Sequence, residues 1–350
     1  MGVLRVWCCT AAIAAVVVGC GNDRTDANPR DELDDAQFAV TVTGTDAKRD
    51  GTIMLVELNG SSRMLGAGRG PRFSPDGRRL AWLQQGPRED SDGFALEQLV
   101  IAPSDGGDAA PLRLPDHPHG PLRVESFDWS ADSRRIVIEA AVPDGLEPPR
   151  SLYVARVANR QVRELPRCRE ASAPRFSPDG SRIAHVCGAG RGTVRSVNVN
   201  GTQIRTLYDA EAQGGRYVPT PIVPGISWRP DAKRLAVTVA DIIDYEDRLG
   251  FLDPRTGRLK PGPLGSDLNW SPDGQRYAYD SGRDTIIKAA RTDHFQRRVR
   301  GAAAYTWSPE GRYLAYTTRA GIRIIRASDG DRVASIPMTG TSALTWRPSP

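Results

Sequence analysis

The stretch Arg72–Leu83 reads R-F-S-P-D-G-R-R-L-A-W-L, and it recurs along the chain. It returns from Asp128 as D-W-S-A-D-S-R-R-I-V-I, from Arg175 as R-F-S-P-D-G-S-R-I-A-H-V and from Ser227 as S-W-R-P-D-A-K-R-L-A-V. Further copies start at Asn269 (N-W-S-P-D-G-Q-R-Y-A-Y) and Thr306 (T-W-S-P-E-G-R-Y-L-A-Y), and a shortened one, T-W-R-P-S-P, begins at Thr345. A repeat of this kind decides the architecture before any single residue does.

Each copy is an aromatic residue, a tight turn and a short apolar run. The aromatics are Phe73, Trp129, Phe176, Trp228, Trp270, Trp307 and Trp346, so five of the chain's seven tryptophans hold one structural position. In the turn, Pro75 presets φ, Asp76 bonds nearby backbone, and Gly77 supplies the left-handed residue that closes a hairpin. Ser133 and Ala232 stand where other copies have Gly, at a cost of about 1 kcal/mol each if φ stays positive. The run after the turn, such as Leu80-Ala81-Trp82-Leu83, is apolar in the manner of a strand covered on both faces. All these residues have local folding roles and read as scaffold.

After the apolar strand two more strands follow in each unit, for example 99–101 and 112–114, or 322–325 and 333–336. The segment from Phe38 breaks this order. Its strands at 38–43, 52–58 and 61–65 have no aromatic-turn copy before them, while the last copy, 344–347, is a first strand alone. Together they make one unit. Six whole units and one split unit over residues 38–350 give a period of about 45 residues, that of four-stranded propeller blades. The expected fold is therefore all-β: a seven-bladed β-propeller whose ring closes by pairing the N-terminal strands with the C-terminal strand, which leaves no open sheet edge. Outside residues 1–19 no sustained 3.6-residue apolar period occurs, so helix content should be very low.

The copies W-S-P-D-G-x-x-[IL]-A-[YFW] resemble the TolB-type, WD-like propeller repeats, and the resemblance covers nearly all of the chain after residue 37. It implies an extracytoplasmic β-propeller serving as a protein-interaction module. The chain departs from TolB in carrying a lipobox-like segment and in lacking a separate α/β domain before the propeller, so a role in a Tol system is not implied.

Residues 1–19 read as a lipoprotein signal peptide, with Arg5 as a basic start and a short apolar core at 11–18. Val17-Val18-Gly19-Cys20 resembles the bacterial lipobox, which implies cleavage before Cys20 and lipidation of its thiol, palmitate among the acyl chains. The same residues also fit an ordinary secretory signal with a chance cysteine. Acyl chains on Cys20 would hold the protein at the membrane. Residues 20–37, rich in Asp, Asn and Arg, read as a disordered tether. The expected location is the extracytoplasmic face of the cell membrane.

The net charge is +5, and only four of the 47 basic residues are lysine. No dense basic run occurs, so the charge reads as a solvated surface, and no nucleic-acid partner is expected. A basic surface could also favour anionic envelope polymers. Of five cysteines, three remain after the expected cleavage: Cys20, Cys168 and Cys187. The last two flank the hairpin of the third copy, where Cys187 falls opposite Ala171. An exported location permits a Cys168–Cys187 disulfide.

Catalytic signatures are absent from the sequence: no G-x-S-x-G, no Gly-Lys pair of a P-loop, no H-E-x-x-H. The four histidines are scattered, and no metal or other cofactor is expected. His117-Pro118-His119 reads as a Pro-rich surface loop, and the acidic residues Asp241, Asp244, Glu246 and Asp247 follow no calcium-loop spacing.

Loop lengths are more informative. Successive repeat aromatics stand 56, 47, 52, 42, 37 and 39 residues apart. The extra residues fall after second strands (84–95, 141–149, 240–248) or after fourth strands (115–126, 210–225), and both kinds of connection emerge opposite the S-P-D-G turns. Binding residues concentrate on such loops. The candidate partner contacts are His117, His119, Arg216, Tyr217 and Tyr245. Two function classes follow. One is a non-catalytic, monomeric binding module for a protein or envelope component. The other is a propeller enzyme (hydrolase or lyase) or a small-ligand sensor with its site at the central channel. For the second class the inner strands offer Asp128 and Asn269.

Overall fold

The computed structural model describes residues 33–43, 51–90, 93, 95–143, 150–166, 168, 170–188, 192–219, 225–244 and 246–349. They form seven antiparallel sheets arranged as a seven-bladed β-propeller. The one helical element among them is a single 3-10 turn, Glu211–Gln213. The segment carrying Cys20 lies outside the described residues, as does Tyr245.

Blades are numbered I to VII from the one that begins at Arg69–Phe73. The remaining inner strands are Arg123–Trp129 (II), Ala171–Phe176 (III), Ile226–Trp228 (IV), Ser266–Trp270 (V), Tyr305–Trp307 (VI) and Thr341–Trp346 (VII). Blade VII is the split one. Its inner strand Thr341–Trp346 pairs with Gln37–Val42, which pairs with Thr52–Glu57 and then Ser62–Ala67. Trp346 stands opposite Phe38, with ring centroids 4.7 Å apart. The chain's two ends thus complete one sheet.

The turn of the first copy is wired as its residue types suggest. Ser74 Oγ accepts the amide of Arg79 at 2.9 Å and donates to Asp76 Oδ1 at 2.6 Å, while Asp76 Oδ1 also accepts the amide of Arg78 at 3.1 Å. Gly77 has φ +66°, and Ser133 and Ala232, at the same turn position, adopt φ +57° and +56°. Ser133 gains a bond there, since its Oγ accepts the amide of Asp76 at 3.0 Å.

An apolar cluster fills each of the seven boundaries between neighbouring blades. Between I and II, Leu83 and Leu99 meet Phe127, Trp129 and Ile138. Between VI and VII, Ile322 and Ile324 meet Phe38 and Trp346, and Leu33 and Ala36 join them. Packing against the ring therefore begins inside the stretch expected to be tether. The repeat tryptophans also bond across boundaries. The indole N–H of Trp129 donates to the carbonyl of Arg72 at 3.2 Å, that of Trp270 to Ser227 at 3.2 Å and that of Trp307 to Asn269 at 3.1 Å.

Two long connections are more ordered than loops. In blade I the second strand runs from Arg79 to Glu89 and pairs with Ala95–Pro103, so the extra residues of 84–95 lengthen a hairpin. In blade IV, Tyr217–Pro219 is a separate strand that pairs with the far end of Leu235–Asp241, while Ile226–Trp228 pairs with its near end. Alternation of apolar residues is interrupted between these two pieces, which hid the first of them in the sequence.

Candidate functional site in the central channel

The residue before each repeat aromatic faces the axis. Side chains alternate across a strand, so with the aromatic packed at a blade boundary its predecessor turns to the open inner edge. These predecessors are Arg72, Asp128, Arg175, Ser227, Asn269, Thr306 and Thr345, and all seven line a cavity of about 700 Å³ along the channel. At these seven positions the charges are not spread around the ring. Arg72, Asp128 and Arg175 fall on consecutive blades I to III, and the remaining four positions are neutral.

The three charged groups are unequally satisfied. Arg72 Nη1 donates to the carbonyl of Phe127 at 3.0 Å and lies 3.7 Å from Asp128 Oδ1. Burial, together with the neighbouring Arg175, lowers the Arg72 guanidinium from 12.5 to about 10. Asp128 Oδ2 accepts the amide of Phe176 in the next blade at 2.9 Å. Burial raises the Asp128 carboxyl despite both arginines. Arg175 is 8 % exposed; its Nη1 donates to the carbonyl of Pro174 at 2.7 Å, and its Nη2 has no hydrogen-bond partner.

The inner strands bulge three residues before the aromatic in blades I, III and V, where Gly70, Ala173 and Asp267 take φ +62°, +51° and +55°. In blade III the bulge is held by blade II: the buried Glu139 carboxylate accepts the amide of Ala173 at 3.1 Å and the hydroxyl of Ser126 at 2.7 Å. In blade V the bulge turns Asp267 into the channel. Burial, reinforced by Asp280 and opposed by Arg175, pushes its carboxyl up to about 6, and its Oδ1 has no partner. The Tyr305 hydroxyl donates to the carbonyls of Asp267 and Ala278, and burial raises its phenol.

Chemically, this wall can hold an anion beside hydroxyl and amide groups. Among the described residues no group of three or more His, Cys, Asp or Glu side chains is placed to hold a metal ion. Arg72 and Arg175 were overlooked as site residues in the sequence because each reads as a charged neighbour of a scaffold aromatic. The available signal was positional: the place before the aromatic carries Arg, Asp, Arg in three successive copies.

The loop-face candidates are arranged differently. Arg216 forms a bidentate ion pair with the buried Asp241, at 2.8 to 3.1 Å, and reaches Asp244 at 3.1 Å. Its guanidinium also lies 5.3 Å from the Tyr217 ring centroid. Arg216 holds the Asp241 carboxyl down at about 2, chiefly by these hydrogen bonds, and Arg248 lies 3.5 Å from the same carboxylate. Two of the acidic residues weighed as a calcium cluster are thus matched by arginines. His117 and His119 sit together in the connection between blades I and II, ring centroids 5.4 Å apart, in a turn closed by a His117–Gly120 bridge. The neighbouring Asp116 pairs with Arg88 at 3.3 Å. Cys168 and Cys187 form a disulfide, Cα atoms 5.9 Å apart, behind the blade III inner strand.

No protein-family model matches the chain, and no curated protein is similar enough in sequence to match it. Solved structures do share its shape. TolB from Acinetobacter baumannii aligns with TM-score 0.54 at 13 % identity, over 89 % of this chain and 67 % of that one. An oligogalacturonate lyase from Vibrio parahaemolyticus aligns with TM-score 0.59 at 11 % identity, over 77 % and 80 % of the two chains. A putative 6-phosphogluconolactonase from Bacteroides fragilis aligns with TM-score 0.55 at 12 % identity, over 89 % and 98 %. The fold is a TolB-like β-propeller. At these identities the likeness extends to the fold alone, which hosts both binding proteins and enzymes.

Proposed function

We propose that this chain is a lipid-anchored, extracytoplasmic β-propeller that acts as a non-catalytic, monomeric binding module for a protein or a cell-envelope component. The observation that carries the reading is the end of blade IV opposite its S-P-D-G-type turn. Ile242 and Ile243, at the tip of a hairpin on the face opposite the S-P-D-G turns, are 50 % and 62 % exposed. They adjoin the Arg216–Asp241 ion pair, which fixes the Tyr217 ring beneath Arg216. Exposed apolar residues beside a rigid aromatic and a positioned arginine have the composition of an interaction hot spot. A closed ring supplies the rigid support that such loops need. Anchoring rests on Val17-Val18-Gly19-Cys20, and Cys20 is its single attachment point.

Two experiments test the reading. Metabolic labelling with palmitate should mark the wild type and not C20A. Crosslinking of the anchored full chain in its native envelope should give adducts that the double variant I242D/I243D and the variant Y217A lose. Unchanged adducts in both would remove this end of blade IV as the contact.

A further inference from the structure

We propose that the central channel binds a small hydroxylated ligand bearing an oxyanion, held by the guanidinium of Arg175 with Arg72 beside it. This goes beyond the loop-face reading and does not depend on it. Arg72 and Arg175 flank Asp128 on the channel wall, and Asp128 is already engaged, while Asp267 and Asp280 border the cavity from blade V. Asp128 takes the Phe176 amide on one oxygen and faces Arg72 with the other. Arg175 is left with one hydrogen bond, to the carbonyl of its own neighbour Pro174, and with no carboxylate at ion-pair distance among the described residues.

A guanidinium stays charged at any working pH. Asp128 and Asp267 act on Arg175 without a hydrogen bond to it, so its buried Nη2 is a donor with no acceptor; that is costly, and the cost is relieved when an anion enters. Its planar fork matches the paired oxygens of a carboxylate or a phosphate. A second unsatisfied donor borders the same cavity: the indole N–H of Trp228 lacks the partner that its counterparts in Trp129, Trp270 and Trp307 find in the preceding blade. Asp267 Oδ1, also without a partner, supplies an acceptor for a ligand hydroxyl, and Ser227, Asn269 and Thr306 line the neutral side. A cavity of about 700 Å³ is of the size that holds small ligands.

Trp129, Trp228, Trp270 and Trp307 border the cavity, so intrinsic fluorescence reports its occupancy. The full-length chain in detergent is titrated with glycerate, glycerol 3-phosphate and glycerol, in buffer free of phosphate and sulfate. Glycerate or glycerol 3-phosphate should give a saturable change at millimolar concentration, and glycerol none; whichever anion saturates identifies carboxylate or phosphate as the preferred group. R175M should weaken that binding at least about tenfold while unfolding at the same or a higher temperature, because it removes a buried donor that has no acceptor. R72Q, at a partly exposed position, is the second variant and should weaken binding less. The proposal is overturned if neither anion saturates, if glycerol binds equally well, or if both variants bind as tightly as wild type.

Discussion

Arg347 donates from Nε to the carbonyl oxygen of Gly77 at 3.0 Å, joining the last inner strand to the turn of the next blade around the ring. Arg229 repeats the relation one half-turn away, with Nη2 at 3.3 Å from the carbonyl of Gly274. Both arginines stand where five other copies have Ser, and both reach forward to the following turn. Arg347 does more than Arg229: it also donates to Gln37 Oε1 and, at 2.7 Å, to Ser104 Oγ. One guanidinium therefore binds the C-terminal strand, its N-terminal partner strand and blade I. Hydrogen bonds from a charged donor are worth about 1.5–3 kcal/mol each, and not additively. R347A should lower unfolding free energy by about 3 kcal/mol in urea titrations. R347K should recover less than half, because an ammonium cannot span three acceptors. A loss below about 0.5 kcal/mol, the level of an ordinary surface substitution, would show that the ring closes without this residue.

Ala232 holds φ +56° at the turn position that is Gly in most copies. An alanine in the left-handed region is strained by about 1 kcal/mol, and its side chain earns no bond there, unlike Ser133, whose Oγ accepts the Asp76 amide. A232G should therefore stabilise the protein by up to about 1 kcal/mol, less the extra freedom that glycine gives the unfolded chain. S133G should be neutral or destabilising. Thermal unfolding of the two variants side by side decides the matter: equal shifts would mean that the interblade bond of Ser133 contributes nothing.

The ring was legible because each repeat states its own local rules. The aromatic, the S-P-D-G turn and the apolar strand fix one hairpin, and the misplaced strands at 38–65 and 344–347 have no other partners, so closure follows. The inner end of blade IV was less legible. Tyr217–Pro219 carries no repeat signal and becomes a strand because the three-residue inner strand Ile226–Trp228 leaves the far end of Leu235–Asp241 to be paired. Channel chemistry was the least visible. Arg72, Asp128 and Arg175 are far apart in sequence, and what distinguishes Arg175 is a missing partner, which depends on how Asp128 is shared between Phe176 and Arg72. Arg216, by contrast, was singled out as a contact residue while Asp241 was weighed only as a calcium ligand. The two meet because Tyr217 pairs with Asp241 across neighbouring antiparallel strands, which brings Arg216 to the carboxylate.

The Cys168–Cys187 disulfide closes a loop with a sequence separation of 19. It brackets the inner hairpin of blade III, the blade that carries Arg175. A loop of that length constrains the unfolded chain by about 3 kcal/mol in the loop-entropy account. C168A/C187A should lose stability of that order, and wild type under reducing conditions should match the variant. Since Cys187 pairs across from Ala171, two residues before the bulge at Ala173, the loss should extend to the channel. Hydrogen exchange of blade III amides in the double variant should rise above that of blades V and VI; uniform exchange would limit the disulfide to a global role.

His185 lies on the second strand of blade III, 5 % exposed, with Arg195 opposite it on the third strand and no partner for Nδ1. Burial, and secondarily the charge of Arg195, lowers its imidazole from 6.5 to about 4. The sign of the stability effect follows. Between those two values the unfolded chain binds a proton that the folded chain refuses, so stability is fully present above pH 6.5 and falls as pH drops, until the loss levels off near pH 4. A shift of that size corresponds to roughly 3 kcal/mol. The Asp267 carboxyl, pushed up to about 6 by burial, titrates in the same range, and burial raises the Glu139 and Asp128 carboxyls as well. The comparison must therefore be a difference of differences. Unfolding free energies of wild type and H185Q, each measured in urea at neutral pH and again near pH 4.5, isolate the histidine. Wild type should lose about 2–3 kcal/mol more than H185Q on acidification; parallel losses in the two proteins would mean that His185 can be protonated inside the fold.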